Sequence, residues 1–83
     1  MHKLFGERFK EERKKQGLTV QAIAKACGIS RSYLTLIENG HRLPGKKIIP
    51  KIAAALQLQV VVVLNWYLED VGHKMKKSLK LDK

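Results

Sequence analysis

Apolar side chains recur along this chain in short helical runs, punctuated by glycine, proline and hydroxyl residues. Leu4, Phe5 and Phe9 stand among charges over residues 3–16, which predicts a first helix. Gly17 is its natural stop, after Lys14 and Lys15, cations suited to a helix C-terminus. Thr19 predicts an N-cap for a short second helix, 20–27, with Ile23, Ala24 and Cys27 on one apolar face. Gly28 breaks the pattern, and Ser30 predicts a second N-cap. The third helix is expected from Arg31 to about Glu38, with Leu34 and Ile37 inward and Tyr33 at the margin. Asn39-Gly40 ends it, and the loop HRLPGKK follows. Pro50 inside a helix would cost about 3 kcal/mol, but it is welcome at the first helical position. A fourth helix is therefore expected to start at Ile49 or Pro50 and run through Leu56. The segment from Val60 to about Val71 is apolar on nearly every side. Its valines suit a strand, but the chain offers no second strand to pair with, so a fifth helix is expected. The tail HKMKKSLKLDK is expected to fray. The predicted architecture is all-α: one five-helix domain over residues 1–71 and a basic tail over 72–83.

Charge sharpens this picture. Lys and Arg number 17 against 7 Asp and Glu, a formal charge of +10 on 83 residues. So large an excess favours a polyanionic partner, nucleic acid or an acidic membrane surface. Cys27 is the lone cysteine, so no internal disulfide can form, which fits a reducing cytoplasm. The N-terminus lacks the apolar stretch of a signal peptide. The longest apolar run, Val60–Leu64, is far short of the roughly 20 residues that span a bilayer. A soluble, cytoplasmic chain is expected. His2, His41 and His73 lack ligand spacing, and no nucleophile–base constellation or phosphate loop is visible. No metal, no cofactor and no catalysis are expected. Glu7, Glu11 and Glu12 lie among cations and read as surface pairing on the first helix.

Two short helices joined by a tight turn at Gly28 form a helix-turn-helix arrangement. Such a unit needs a small residue where its helices cross, supplied by Ala24, and a residue tolerant of positive φ in the turn, supplied by Gly28. It also needs a shared apolar core, which Ile23, Cys27, Ile29, Leu34 and Ile37 provide. The segments FGERFKEERKKQGLT, AIAKACGIS, LIENG and KIAAAL together resemble the Xre/Cro family of phage-repressor-like DNA-binding proteins, over residues 4–68. The resemblance implies a structural ion pair between Arg13 and Glu38, tying the first helix to the third. Pro50 matches a proline that some phage repressors place at the start of their fourth helix. The chain departs from the family at Val20, where a phosphate-binding Gln is usual, at Glu12, usually apolar, and at Gly45 and Lys46, which lengthen the loop.

The resemblance and the general docking rule place the N-terminal half of the third helix against base edges in the major groove. The candidate base-reading residues are Arg31, Ser32, Thr35 and Leu36. An arginine can bond guanine O6 and N7 together, worth ~1–3 kcal/mol of discrimination. Ser32 and Thr35 discriminate less, and Leu36 is either a contact for a thymine methyl or an ordinary surface leucine. Thr19, Gln21, Ser30, Asn39 and Arg42 lie at helix ends or in the following loop and are expected at phosphates. Val60, Val63, Leu64 and Tyr67 are expected to fill the core. That leaves Val61, Val62, Trp66 and Leu68 over, a candidate homodimer interface.

The function expected is transcriptional regulation, by repression, with a homodimer on a palindromic operator in double-stranded DNA. Alternatives are an antitoxin or restriction–modification control protein autoregulating its operon, with the fifth helix holding a partner protein. From a different class, a basic membrane-surface or protein-interaction module would use the apolar segment and the lysine tail.

Overall fold

The computed structural model describes residues 4–79. Five helices follow in order: α1 (Phe5–Lys15), α2 (Val20–Cys27), α3 (Arg31–Glu38), α4 (Ile48–Ala55) and α5 (Val60–Ser78). The described residues form no strand. Helix α1 packs on α3 and α5, α2 on α3 and α4, and α4 on α5. Their inner faces share one core, in which Phe5, Phe9, Ile23, Leu34, Ile37, Ile52, Leu56 and Val63 are fully buried. Cys27 is part of that core, and burial pushes its thiol above the usual range.

The helix ends follow local chemistry. Helix α4 begins two residues before Pro50, which therefore takes its third position, where a missing N–H still leaves no helical bond unmade. The chain leaves α1, α2, α3 and α4 by the same device, a left-handed residue whose N–H and successor's N–H turn back onto helix carbonyls. Three of these residues are glycines. After α4 it is Gln57, at φ 56°, a conformation an L side chain adopts at a cost.

Sequence reasoning tied α1 to α3 through Arg13 and Glu38 but missed how closely their backbones approach at Gly6. A Cβ added at Gly6 would collide with the backbone carbonyls of Ile37 and Glu38. Glycine there lets the two helix backbones touch.

Helix α5 differs from expectation in length and in rotation. It continues to Ser78 rather than ending near Val71. Lys74 Nζ lies 3.5 Å from Asp70 Oδ1 one turn earlier, and Lys76 and Lys77 sit in the last turn, where cations suit the helix dipole. Trp66 is not left over. It is 9% exposed and meets Phe5 edge-to-face, with ring centroids 6.0 Å apart. Asp70 is buried beside it, and its Oδ2 accepts the N–H of Phe5 at 2.9 Å, capping the first turn of α1. Burying the indole and that carboxylate together rotates Val60 and Leu64 outward, so both are exposed where core positions were expected. An indole removes more apolar surface from water than a valine, which decides the rotation. Val63 is buried and Tyr67 half-buried against the core, as expected.

Candidate nucleic-acid interface

The unit formed by α2 and α3 is built from its caps. Thr19 Oγ1 accepts the N–H of Ala22 at 3.0 Å, and Ser30 Oγ accepts that of Tyr33 at 3.0 Å. Each hydroxyl uses a lone pair and keeps its own proton to donate. Gly28, at φ 69° and ψ 31°, turns the chain between them, and Ile29 N–H closes the turn on the Ala24 carbonyl at 3.0 Å. Ile23, Ala24 and Cys27 on α2 meet Leu34 and Ile37 on α3 in the core. With these apolar positions consumed, α3 turns Arg31, Ser32, Thr35, Leu36 and Asn39 to solvent.

The far end of α3 is fixed by charge. Arg13 Nε lies 2.8 Å from Glu38 Oε2, and its Nη2 lies 2.9 Å from Oε1, a two-pronged contact. The remaining Nη1 donates to the Leu18 carbonyl at 2.9 Å. One side chain thus joins α1, the turn after it and the C-terminus of α3. The side chains of Arg13 and Glu38 are only 12% and 8% exposed, so this pair is not of the weak surface kind.

Every residue expected to touch DNA lies on the outside. Arg31, Ser32 and Thr35 are exposed, and Leu36 is 40% exposed. Thr19, Gln21, Ser30, Asn39 and Arg42 are exposed at the start of α2, the start of α3 and the chain leaving α3. Arg31 and Thr35 lie one turn apart, as do Ser32 and Leu36, so the four form one strip along the helix. Of the four residues expected at a dimer interface, Val61 and Leu68 are each 53% exposed and Val62 is 37% exposed. The fourth, Trp66, belongs to the core. Val60, Leu64, Met75 and Leu79 extend the exposed apolar surface along α5. At its N-terminal end it opens into a groove of about 370 Å³ between α4 and α5, lined by Lys46, Ile49, Pro50, Val60, Leu64, Tyr67 and Leu68.

Tyr33 has a larger part than its marginal position suggested. Its hydroxyl oxygen accepts the N–H of Gly45 at 3.3 Å, and the guanidinium of Arg42 lies 5.5 Å from its ring centre. No linear motif announces this, because both partners come from an irregular loop. No group of three or more His, Cys, Asp or Glu among the described residues could hold a metal ion. No helix among them is long and apolar enough to cross a membrane.

Residues 9–62 match the helix-turn-helix family model, the stretch that holds α2, α3 and α4 entire. The chain belongs to that family, in its Xre/Cro-like branch. Among its relatives is the ImmF control region 10 kDa protein of Bacillus phage phi105, 41% identical over 61 residues, covering 74% of this chain and 68% of that one. The restriction-modification controller protein C.AhdI of Aeromonas hydrophila superposes with a TM-score of 0.67 at 34% identity, covering 71% of this chain and 89% of the other. The phage P22 c2 repressor, solved with a synthetic operator, superposes with a TM-score of 0.70 at 26% identity, covering 77% and 97%.

Proposed function

We propose that this chain, a DNA-binding transcriptional regulator, is a repressor that binds a palindromic operator as a homodimer, with α3 lying in the major groove. The observation that carries the reading is the solvent-facing strip of Arg31, Ser32, Thr35 and Leu36 on a helix held at both ends. Arg31 reads a guanine, the hydroxyls of Ser32 and Thr35 bond to neighbouring base edges, and Leu36 meets a thymine methyl. Thr19, Gln21, Ser30, Asn39 and Arg42 hold the flanking phosphates and set the register. Val20 leaves the N-terminus of α2 without the usual amide, so backbone N–H groups do that work. Two protomers pair through Val61, Val62 and Leu68 on α5, which sets two α3 helices about one DNA turn apart. The protein works in the cytoplasm, needs no cofactor and catalyses nothing.

Selection from random duplex DNA tests this. A palindromic consensus with half-sites one helical turn apart is expected. Enrichment of nothing, or binding that barely changes between low and moderate salt, would contradict it. The likeness to C.AhdI favours a second reading, a controller that regulates its own operon. In an antitoxin version of that role the apolar face of α5 holds a different protein, and a second chain co-purifies with the untagged protein. Vesicle binding at physiological salt without DNA preference would instead support a membrane-surface module.

A further inference from the structure

The chain leaving α3 is fastened to that helix at three points. The N–H groups of His41 and Arg42 both donate to the Leu36 carbonyl, at 2.9 and 3.3 Å. Farther along, the N–H of Gly45 donates to the Tyr33 hydroxyl at 3.3 Å. Between these ties the Arg42 guanidinium lies over the Tyr33 ring, 5.5 Å from its centre. Tyr33 itself is half-buried and packs on the core, so it is a firm support. Arg42 is exposed. A guanidinium resting on an aromatic face keeps its N–H groups free at the edge, the geometry that suits a phosphate oxygen. Tyr33 and Leu36 lie three residues apart and so share a side of α3, which puts Arg42 beside the base-reading strip.

We propose that Tyr33 is a positioning residue for DNA binding: it holds the guanidinium of Arg42 and the loop through Gly45 against α3, so that Arg42 meets a phosphate flanking the bases that α3 reads. Tyr33 touches no base. Its ring places the charge and its hydroxyl places the loop. The inference rests on the docking of α3 proposed above.

The test uses the full chain on a duplex carrying the consensus selected from random DNA, with affinity measured across a range of salt. Arg42→Gln removes one phosphate contact and lowers the slope of log affinity against log salt by about 0.9. Tyr33→Leu lowers the slope by the same amount although Arg42 is still present. The double variant Tyr33→Leu with Arg42→Gln binds within about twofold of Tyr33→Leu alone, because the charge was already misplaced. Tyr33→Phe loses the tie to Gly45 but keeps the aromatic face under Arg42, while the two bonds to the Leu36 carbonyl still hold Arg42 close to α3, so it keeps the full slope. Should Tyr33→Leu melt below the assay temperature, Tyr33→Met, which keeps bulk without an aromatic face, carries the same expectation. A wild-type slope in Arg42→Gln or in the folded Tyr33 variant overturns the proposal, as does a double variant whose loss is the product of the two single losses. If the wild-type protein selects no DNA sequence, the docking reading falls and this one with it. If it selects a sequence but the two residues act independently, only the role of Tyr33 falls.

Discussion

Helices α3 and α5 each turn a full face to solvent, and the two faces are chemically opposite. That of α3 carries Arg31, Ser32, Thr35 and Asn39 with a single leucine. That of α5 carries Val60, Val61, Val62, Leu64, Leu68 and Met75, with Leu79 just past its end. Water satisfies the first face, and in the proposed docking base edges and phosphates replace that water. The second gains nothing from water and is stabilised by any apolar cover. The helices are also held differently. Helix α3 is fixed at its start by the Ser30 cap and at its end by the Arg13–Glu38 contact, so its polar groups have defined places. Helix α5 is fixed by what it buries, Val63, Trp66 and Asp70, and its outer face is what that burial leaves. On the proposed reading, the exposed polar face of the clamped helix reads DNA and the exposed apolar face makes the protein contact.

The sharpest way to break this contrast is to unclamp α3. Glu38→Ala leaves the Arg13 guanidinium buried without its carboxylate and should destabilise the fold by about 3–5 kcal/mol. A loss of unfolding free energy in urea of less than a third of that would mean the pair contributes little to holding α3. Next comes the difference between the two sides of α5. Trp66→Ala empties a core site against Phe5 and should cost ~3–5 kcal/mol of unfolding free energy. Leu68→Ser, on the outer face, should leave the unfolding free energy of the monomer within about 0.5 kcal/mol. It should instead raise the concentration for half-maximal self-association tenfold or more, about 1.4 kcal/mol, as read by sedimentation. Equal effects of the two substitutions on monomer stability would erase the distinction between core and contact faces. The smallest effect is at the end of α4. Gln57→Gly should raise the thermal midpoint, with a gain of roughly 0.5–1 kcal/mol, because glycine adopts that positive φ freely. A lowered midpoint would show that the Gln57 side chain makes up for its own strain.

The two helices also differ in how much the amino-acid sequence disclosed. For α2 and α3 the information is local. Thr19, Gly28 and Ser30 act on neighbours no more than four residues away, and the caps form where those residue types predict. Arg13 and Glu38 were legible only through the family resemblance, since 25 residues separate them. For α5 the deciding partners are distant. Asp70 meets the N–H of Phe5 across 65 positions, and no periodicity within α5 shows that its indole faces Phe5. A segment apolar on nearly every side leaves its own rotation undetermined, which is why Val60, Leu64 and Trp66 were misplaced. The helical course of residues 72–78 had a signal, since Val71, Met75 and Leu79 continue the apolar spacing past Gly72. Gly6 had none, because a glycine within a helical pattern does not say which backbone approaches it. The candidate contact residues were legible almost in full as exposed positions, and the contacts of Tyr33 with Arg42 and Gly45 were missed because they depend on a loop with no regular pattern.

The most direct test of the account is a comparison of two DNA selections, one with the wild-type protein and one with Arg31→Ala. The variant is expected to keep its fold and its salt dependence to within about one phosphate contact, while its consensus loses a guanine at one symmetric position in each half-site, worth ~1–3 kcal/mol. A folded variant that selects an unchanged consensus would contradict the central claim that the start of α3 reads DNA sequence.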